Sequence, residues 1–563
     1  MKGVCELKKE SILKLLAIGA AAGTAAAIGT VAVKRHKKKK IQRMLITEQA
    51  SSLKRKAYFI GGGLESLAGA VYLMRDCNFL GENIYIIEPS AVVGGEYYAA
   101  GNPDTGYIIR NGAELFSTDA NLWDLLDSVP SLRAPDISVS EDVLTYNSAH
   151  PTAMRTRIID ADGIAALTSL GLDKESRRAL LNLLTKNENS VTGTIAEWFA
   201  EVPQFLDTKL WVLLSTDFKL CRESSALVLR AAVLCHLSHI AALDSRADII
   251  RTPLNTYESV ILPIKAYLER MGVKLMSKCR MTGFNMDGGF VTELNLDDNG
   301  ARKTIYLEQD DLCFISCGSI ADGALCGDID TPPPAFDGAS ESLHILHLLE
   351  RNLPDSTGAA ELFSHPEITT AAEFTVTTSS NLLLRLFEEY TKTPLGADAF
   401  ITATESPWCI SIDIGTQPVM QNQSGKTTVL HGFALCPSNI GIFTGKPMHE
   451  CSGREVVYEL ISALHMQRHW EEIDSELVNS VVCIEPFALA PTLSGNRPAV
   501  NGGNLAVIGR FSHAGGSACS AEYAVRSART AAYELTRCGR KIIPPVKSAG
   551  PVAYARAIKK MGR

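Results

Sequence analysis

The chain has 563 residues, 46% of them hydrophobic and 21% charged, which is the composition of a folded globular protein with about two to four domains. Residues 1–56 carry 14 Lys or Arg and three Glu, a charge of +11, so −18 of the net charge of −7 falls on the remainder. An acidic body argues against binding to nucleic acid. The 14 cysteines include no Cys-x-x-Cys, which argues against a secreted disulfide scaffold and favours buried thiols in a reducing compartment.

The N-terminus holds an uncharged run of 19 residues, Leu15–Val33, directly before six Lys or Arg within residues 34–40. About 20 apolar residues span a bilayer core, and the positive-inside rule places the basic side in the cytosol. We therefore expect residues 1–55 to form a hydrophobic membrane anchor and a basic linker that contacts membrane lipid, with a cytoplasmic body. A cleaved signal peptide and a surface-lying or soluble segment are the alternatives.

A nucleotide-binding unit is predicted at the start of the folded body. Residues 56–60 have the pattern of a short buried strand, and a glycine-rich turn follows directly at 61–66. A helical pattern then continues to Met74, and a second apolar strand, Ile84–Ile87, ends at an acidic residue. The order of strand, glycine turn, helix, strand and acid is typical of a dinucleotide site, whereas a glycine turn alone is weak evidence.

Each position of this unit has a physical role in binding a dinucleotide. Gly61 and Gly62 permit the tight turn, and Gly63 lets the backbone approach a pyrophosphate at the helix N-terminus. Ser66 is small enough for close packing of the helix on the strand. Glu88 is positioned to accept hydrogen bonds from ribose hydroxyls, which disfavours NADP. A purely structural glycine turn is the alternative.

Two further features favour FAD over NAD. Gly94, Gly95 and Glu96 follow the second strand, where many two-domain flavoproteins carry a second glycine pair. Far downstream, Asn504–Gly509 has the pattern of another strand, followed by a small-residue loop and a helix over residues 521–535. We expect the cofactor site to be built from both ends of the chain, with substrate lobes inserted between them.

Several uncommon phrases, in the same order, make the chain resemble the oleate hydratases, a fatty-acid hydratase family also called myosin-cross-reactive antigens. The resemblance covers about residues 56–538. Its phrases are the run Ala57–Asp76, GNPDTGYIIRNGAELF from Gly101, LWDLLDSVPSL from Leu122, RTPLNTYESVILPI from Arg251, DLCFISCGSIADGALCGDIDTPP from Asp311, KPMHECSGREVVYEL from Lys446 and EYAVRSA from Glu522.

The resemblance implies an α/β, two-dinucleotide-binding-domain flavoprotein with a Rossmann-like FAD part, inserted substrate lobes and usually a homodimeric assembly. FAD would be bound but not consumed, because adding water to an alkene is redox-neutral. The substrate would be a long unsaturated fatty acid and the product a hydroxy fatty acid. The predicted divisions are 1–55 anchor and linker, 56–150 FAD part, 151–310 substrate lobe, 311–335 return to the FAD part, 336–495 second substrate lobe, 496–538 C-terminal FAD part and 539–563 basic tail.

The family motif beside the flavin reads roughly Arg-Gly-Gly-Arg-Glu, and this chain has Arg110-Asn111-Gly112-Ala113-Glu114. The resemblance implies that Arg110, Gly112 and Gly318 contact the cofactor and that Glu114 activates water; alternatively, Glu114 is a loop carboxylate that caps the following helix. Asn111 tolerates the backbone of the lost glycine better than most residues. Ala113 removes a planar cation.

The proton donor of the family is a tyrosine in a helix that here covers residues 221–239. This chain has no Tyr between Tyr146 and Tyr257, and ungapped placement puts Leu229 at the tyrosine position. Leucine cannot donate a proton. The ionisable neighbours in that helix are Cys235, His236 and His239, and histidine titrates in a useful range.

Other departures lie on the substrate side. Asp413 and Gly415 stand where the family has Thr and Asn, and Thr256 replaces a Gln while Asn255 and Tyr257 are kept. Asp413 would repel a fatty-acid carboxylate unless a cation pairs with Asp413. These changes leave three functions open: hydration, a different reaction such as double-bond isomerisation or a redox step, and non-catalytic binding of lipid or flavin. No metal-ligand cluster is predicted.

The C-terminal segment from Arg537 carries eight Lys or Arg and no acidic residue. It is interpreted either as a tail that lies on an anionic bilayer or as a solvated basic tail. The Pro544-Pro545 and Gly550-Pro551 pairs argue against one long helix.

Overall fold

The computed structural model describes residues 55–561 except 153, 317–318, 354–358, 397, 491–502, 513–519 and 545–550. The predicted anchor at Leu15–Val33 lies outside the described residues. Within the described part of the chain, no helix combines the length and apolar character needed to cross a membrane. The prediction of a membrane-anchored protein is corrected accordingly.

The strands, numbered in chain order, are β1 Ala57–Ile60, β2 Ile84–Glu88, β3 Ala99–Asn102, β4 Gly106–Ile109, β5 Glu114–Phe116, β6 Ile158–Asp160, β7 Gly163–Ile164, β8 Ile249–Arg251, β9 Lys274–Ser277, β10 Cys279–Asp287, β11 Phe290–Asp298, β12 Ala301–Tyr306, β13 Leu312–Ser316, β14 Leu325–Gly327, β15 Ala371–Thr378, β16 Ala399–Ala403, β17 Ile410–Ile414, β18 Thr428–Ala434, β19 Leu477–Glu485 and β20 Leu505–Ile508.

The α-helices are α1 Leu64–Cys77, α2 Ala120–Leu126, α3 Val139–Ala149, α4 Lys174–Thr185, α5 Ile195–Trp198, α6 Lys209–Phe218, α7 Ala226–Cys235, α8 Leu237–Ala241, α9 Leu262–Arg270, α10 Glu341–Asn352, α11 Pro366–Thr369, α12 Leu382–Thr391, α13 Gly453–Ala463, α14 Trp470–Glu476, α15 Ala521–Thr536 and α16 Pro551–Met561. A π-helical turn, Tyr257–Ile261, leads directly into α9.

A five-stranded parallel sheet joins the two ends of the chain in the order β20-β13-β1-β2-β9. Helix α1 packs on this sheet and on α15, and a Cβ at Gly69 would lie 2.5 Å from the Phe59 ring and 3.6 Å from Cβ of Ala528. The predicted strands, glycine turn and terminal strand and helix are confirmed in position and type. The five-stranded sheet also includes β9. This strand lies within residues 151–310, the range that was predicted to form a substrate lobe.

One buried asparagine links three strands at this junction. The Asn504 side chain donates to the carbonyl oxygens of Val291 and Asp311, both at 3.0 Å, and accepts from the Val291 amide at 2.7 Å. Asn504 is 2% exposed. Its hydrogen bonds therefore tie the approach to β20 to β11 and to the start of β13.

The second large sheet has eight strands in the order β14-β19-β15-β18-β17-β16-β6-β7. Alternation along β15 gives it two different faces. Phe374 and Val376 point into an apolar core that includes Val456 and Leu460 of α13. The opposite face is polar, and Thr375 and Thr377 there accept hydrogen bonds from the amides of Ile109 and Tyr107, both on β4.

A helical lobe, with α4 to α8 around one apolar core, lies between the sheets in sequence. The C-terminal helix α16 packs on it: Ala557 and Met561 are buried in the same core, and Lys560 forms an ion pair with Asp244. Residues 551–561 thus form a helix packed on the body and not a solvated tail, and contact of this end of the chain with a bilayer stays a prediction.

One pair of cysteines departs from the expectation of unpaired thiols. Cys326 and Cys483 face each other across β14 and β19 and form a disulfide. Other cysteines in the described residues, such as Cys77 and Cys313, are free and buried, as expected.

Replacing Asn504 with Ala should lower the free energy of unfolding by about 3 kcal/mol, because it leaves buried backbone groups without partners. Urea unfolding followed by circular dichroism measures this loss. Asn285→Ala, which removes an exposed amide that donates to Glu293, is the control and should change stability by less than about 0.5 kcal/mol. Equal effects of the two substitutions would contradict the linking role of Asn504.

Candidate active site

The phosphate turn, Gly61–Gly63, has the geometry that a dinucleotide site requires. Gly61 adopts φ +94°, a conformation that favours glycine, and its amide donates to the Ile87 carbonyl at 2.8 Å. Gly63 is the N-cap of α1, so the unpaired amides of the first helical turn follow it directly. Ser66 is fully buried where α1 meets the sheet.

Glu88 closes the turn from the end of β2. Its Oε2 accepts from the Gly62 amide at 2.7 Å, and its Oε1 accepts from the Ser90 amide at 2.7 Å. Each carboxylate oxygen has two lone pairs, so both can also accept from ribose hydroxyls. The position agrees with the predicted role.

The second glycine pair lies against the first. Gly94 and Gly95 have φ +119° and +55°, and a Cβ at Gly95 would lie 3.9 Å from Cα of Gly63. Glu96 forms a buried ion pair with Arg510, two residues after β20. Glu96 thus connects the second glycine pair to the C-terminal part of the sheet.

The hairpin of β3 and β4 carries Arg110 to the polar face of the eight-stranded sheet. Arg110 donates to Glu485 Oε1 at 3.0 Å and to the Ala321 carbonyl at 3.1 Å. Further along the motif, a Cβ at Gly112 would lie 3.3 Å from Oδ2 of Asp413 and 3.7 Å from Nδ1 of His431. The motif 110–114 therefore runs over a row of polar side chains from four strands.

Two carboxyl groups in this row, Glu373 and Glu485, form a buried carboxyl pair with opposite titration. Glu373 lies beside Lys219 at 2.6 Å, and although burial opposes its charge, Lys219 and His431 lower its pKa to about 2. Burial and the negative charge of Glu373 raise the pKa of Glu485 to about 8, against the opposing influence of Arg110. At neutral pH the pair therefore carries one proton, on Glu485.

Polar atoms around the motif are buried without a hydrogen-bond partner among the described residues. These atoms are Arg110 Nε, Glu373 Oε2, Asp413 Oδ1, His431 Nε2 and Glu485 Oε2. Buried polar groups in proteins are almost always paired with protein, water or ligand. Their convergence beside Gly112 marks a polar site inside the molecule.

Glu114 lies in a charge network instead of a free loop. Arg246 donates to its Oε1 at 2.7 Å and to its Oε2 at 2.5 Å, and Arg251 donates to Oε1 at 3.0 Å. Arg251 also contacts Asp413 at 2.8 Å and Asp398 at 3.2 Å. The Asp that replaces the family threonine is thus paired, and a Cβ at Gly415 would lie 2.9 Å from the Arg251 guanidinium, which uses the space of the lost Asn.

The charge network continues to His239, whose Nε2 lies 2.8 Å from Asp217 and whose Nδ1 lies 3.1 Å from Asp248. Burial opposes the charged form, but hydrogen bonds to the two carboxylates raise the pKa of His239 to about 9. The network has five carboxylates against four cations, counting protonated His239; its members are Glu114, Asp217, Asp248, Asp398, Asp413, Arg157, Arg246, Arg251 and His239.

Neither histidine of the helix predicted to hold the proton donor offers a free proton at neutral pH. The third ionisable residue named there, Cys235, is partly buried. Leu229 is fully buried in the helical core. His236 packs against Phe116 with ring centroids 4.3 Å apart and the rings tilted by 36°, and burial together with the charge of His239 lowers the pKa of His236 to about 3. Both ring nitrogens of His239 are held by carboxylates. Gly318, predicted to contact the cofactor, lies outside the described residues.

Comparison with known proteins identifies the family of this chain. A model of the MCRA family matches residues 54–533. The chain belongs to the MCRA family. It is 27% identical over 527 residues to an oleate hydratase of Streptococcus pyogenes serotype M49 (strain NZ131), covering 87% of this chain and 86% of that protein.

A linoleate hydratase of Lactiplantibacillus plantarum is 28% identical over 562 residues, covering 90% of this chain and 99% of that protein. Among solved structures, an oxidoreductase from Methanosarcina mazei aligns with a TM-score of 0.47 and 12% identity, over 84% of this chain and 99% of that one. The present member of the MCRA family is a hydro-lyase of the hydratase class, and its cofactor is FAD.

The residues present fit FAD. The strained glycine turn, the helix N-terminus and Glu88 form the cradle of an adenine dinucleotide. The buried Arg110 Nε has no partner within the described residues and belongs to the motif that the family resemblance predicts beside the flavin. These observations support Gly61–Gly63, Glu88 and Arg110 as residues that hold the cofactor.

Sequence reasoning missed the cations that bind Glu114 and the carboxyl pair. Glu373 and Glu485 carry a detectable signal, because each interrupts an apolar strand, in AAEFTV and VVCIE. Arg246 and Arg251 carry no local signal. Their role depends on contacts with Glu114 more than 130 residues away.

The raised pKa of His239 predicts a pH-dependent stability. Its stabilisation is fully present below the unfolded pKa of about 6.5 and is lost as pH rises through about 9, a change on the order of 3 kcal/mol. His239→Gln should remove this part of the dependence, measured as the difference between variant and parent unfolding free energies across this range. His347→Gln, at a half-exposed histidine, should run parallel to the parent. If the free energy of unfolding of His239→Gln changed with pH in the same way as that of the parent does, the raised pKa of His239 would be contradicted.

Proposed function

We propose that this protein adds water to a cis double bond of a long unsaturated fatty acid and releases a hydroxy fatty acid. The named relatives act on oleate and linoleate, and they support this substrate class. The observation that carries the proposal is the buried polar site beside Gly112. The protonated carboxyl group of Glu485 and the carboxylate of Glu114 both belong to the region along the motif 110–114. Hydration of an alkene requires an acid for one carbon and a base for water at the other.

The base in this proposal is Glu114. Arg246 and Arg251 donate three hydrogen bonds to its carboxylate and so fix its direction. A weak base suffices, because water that attacks a cation-like carbon becomes strongly acidic and gives up its proton readily. FAD, when bound, would supply electron density that stabilises a developing positive charge, without a redox step.

The acid in this proposal is Glu485, in place of the missing tyrosine. Its Oε2 is buried and has no hydrogen-bond partner among the described residues, while Arg110 holds Oε1. His236 is neutral at physiological pH and His239 has no free N–H, so neither offers a proton. Glu373 and Lys219 lie next to Glu485, and the partly exposed ammonium group of Lys219 can restore the proton.

The proposal is tested by incubating FAD-loaded protein with oleic and linoleic acids and analysing the lipids by mass spectrometry. We expect products heavier by one water. Products of unchanged mass would favour the isomerase alternative, and retention of fatty acid without conversion would favour a binding protein.

Glu114→Gln and Glu485→Gln should each lower kcat at least about a hundredfold, because each removes one proton-transfer group. FAD content, measured by absorbance, should stay the same in both. Glu175→Gln, at an exposed position on α4, is the control. Full activity of either site variant would remove that residue from the mechanism.

The parent enzyme should lose activity as pH rises through about 8, because Glu485 then loses the proton it must donate. The pH dependence of kcat/KM measures the ionisation in the free enzyme. A profile that stays flat from about pH 7 to about pH 9 would contradict Glu485 as the acid.

We also propose the homodimer that is usual in the family. Light scattering coupled to size-exclusion chromatography should give twice the chain mass of 60.8 kDa. A single-chain mass at micromolar concentration would contradict it.

A further inference from the structure

One carboxyl group occupies an unexpected place in the phosphate turn. Glu65 is the second residue of α1, is 8% exposed, and shares a short hydrogen bond with the Ser316 hydroxyl at the end of β13. A Cβ at Gly63 would lie 2.6 and 2.9 Å from its two carboxyl oxygens. The Glu65 carboxyl therefore lies in the space that Gly63 keeps clear of a side chain of its own.

That space is the one through which a dinucleotide-binding turn approaches the pyrophosphate. A pyrophosphate is doubly negative, and two anions at contact distance in a buried site repel each other by several kcal/mol at an effective dielectric of about 20. The first turn of α1 attracts both groups alike, so it does not resolve the conflict. FAD binding requires Glu65 either to be uncharged or to move away.

The surroundings of Glu65 favour the uncharged form. From β13 it faces the neutral Ser316, and from the second glycine pair it faces the carboxylate of Glu96. Arg510, after β20, is the nearby cation, but it is already ion-paired with Glu96. Burial is the largest influence and raises the pKa of Glu65; the hydrogen bond from Ser316 lowers it in part, Glu96 adds to the rise, and the net change is upward.

We propose that Glu65 makes FAD binding proton-linked: its neutral carboxyl donates a hydrogen bond to a pyrophosphate oxygen, and its ionised form excludes the cofactor. Binding then takes up one proton wherever free Glu65 is ionised. The dissociation constant of FAD rises about tenfold per pH unit above the pKa of Glu65 in the free protein. This inference rests on FAD as cofactor and is independent of the hydratase proposal.

The experiment titrates flavin-free full-length protein with FAD, follows quenching of flavin fluorescence, and repeats the titration from about pH 6 to about pH 9. The pyrophosphate of FAD does not titrate in this range. The parent should bind at least tenfold more weakly at the upper end than at the lower end. Glu65→Gln keeps the size and a hydrogen-bond donor without a charge, so its affinity should stay level across the range.

Glu82→Gln, at an exposed position before β2, is the matched control and should keep the parent dependence. Glu65→Ala should also remove the dependence, and circular dichroism checks that both Glu65 variants are folded. Parent affinity that is independent of pH, a parent-like slope in Glu65→Gln, or loss of FAD binding in both Glu65 variants would each overturn the proposal. No fatty acid is present, so failure of the hydratase proposal does not affect the outcome.

Discussion

The parallel pairing of β13 with β1 on one side and β20 on the other is the constraint on which the rest of the structure depends. It brings strands from residue 57, residue 312 and residue 505 into one sheet, so the phosphate turn and the C-terminal helix α15 pack on a common frame. Asn504 and the buried pair of Glu96 with Arg510 hold this junction through directional contacts. Everything inserted between these strands is thereby placed beside the cofactor.

A second feature of the structure is the pairing of buried charges beside the five-stranded sheet. Leaving a buried ion without its partner costs about 3–5 kcal/mol, so the carboxylates under the motif 110–114 need matching cations. In the family the motif has a second arginine, and here that position is Ala113. In this chain two arginines from the segment 246–251 bind Glu114. Hydrogen bonds to Asp217 and Asp248 raise the pKa of His239, whereas burial and the neighbouring Glu373 raise that of Glu485.

Local patterns predicted the part of the site that local geometry determines. The turn at 61–63 and the acid at 88 are set by strand, helix and turn preferences within about 30 residues, and they were found where expected. Glu114 was predicted to activate water, but its contacts with two arginines were not predicted, because they join segments with no shared local pattern. Leu229 stands at the position of the family tyrosine, but only the pairing of β15 with β19 shows that Glu373 and Glu485 lie on the same face of the sheet.

The most direct test is a crystal structure of the FAD-loaded protein with a bound unsaturated fatty acid, in which the distances from the double-bond carbons to the two carboxyl groups are measured. One carbon should lie within about 3.5 Å of Glu485 Oε2, and the other should reach Glu114 through a single water. A double bond held away from both carboxyl groups would contradict the proposed chemistry.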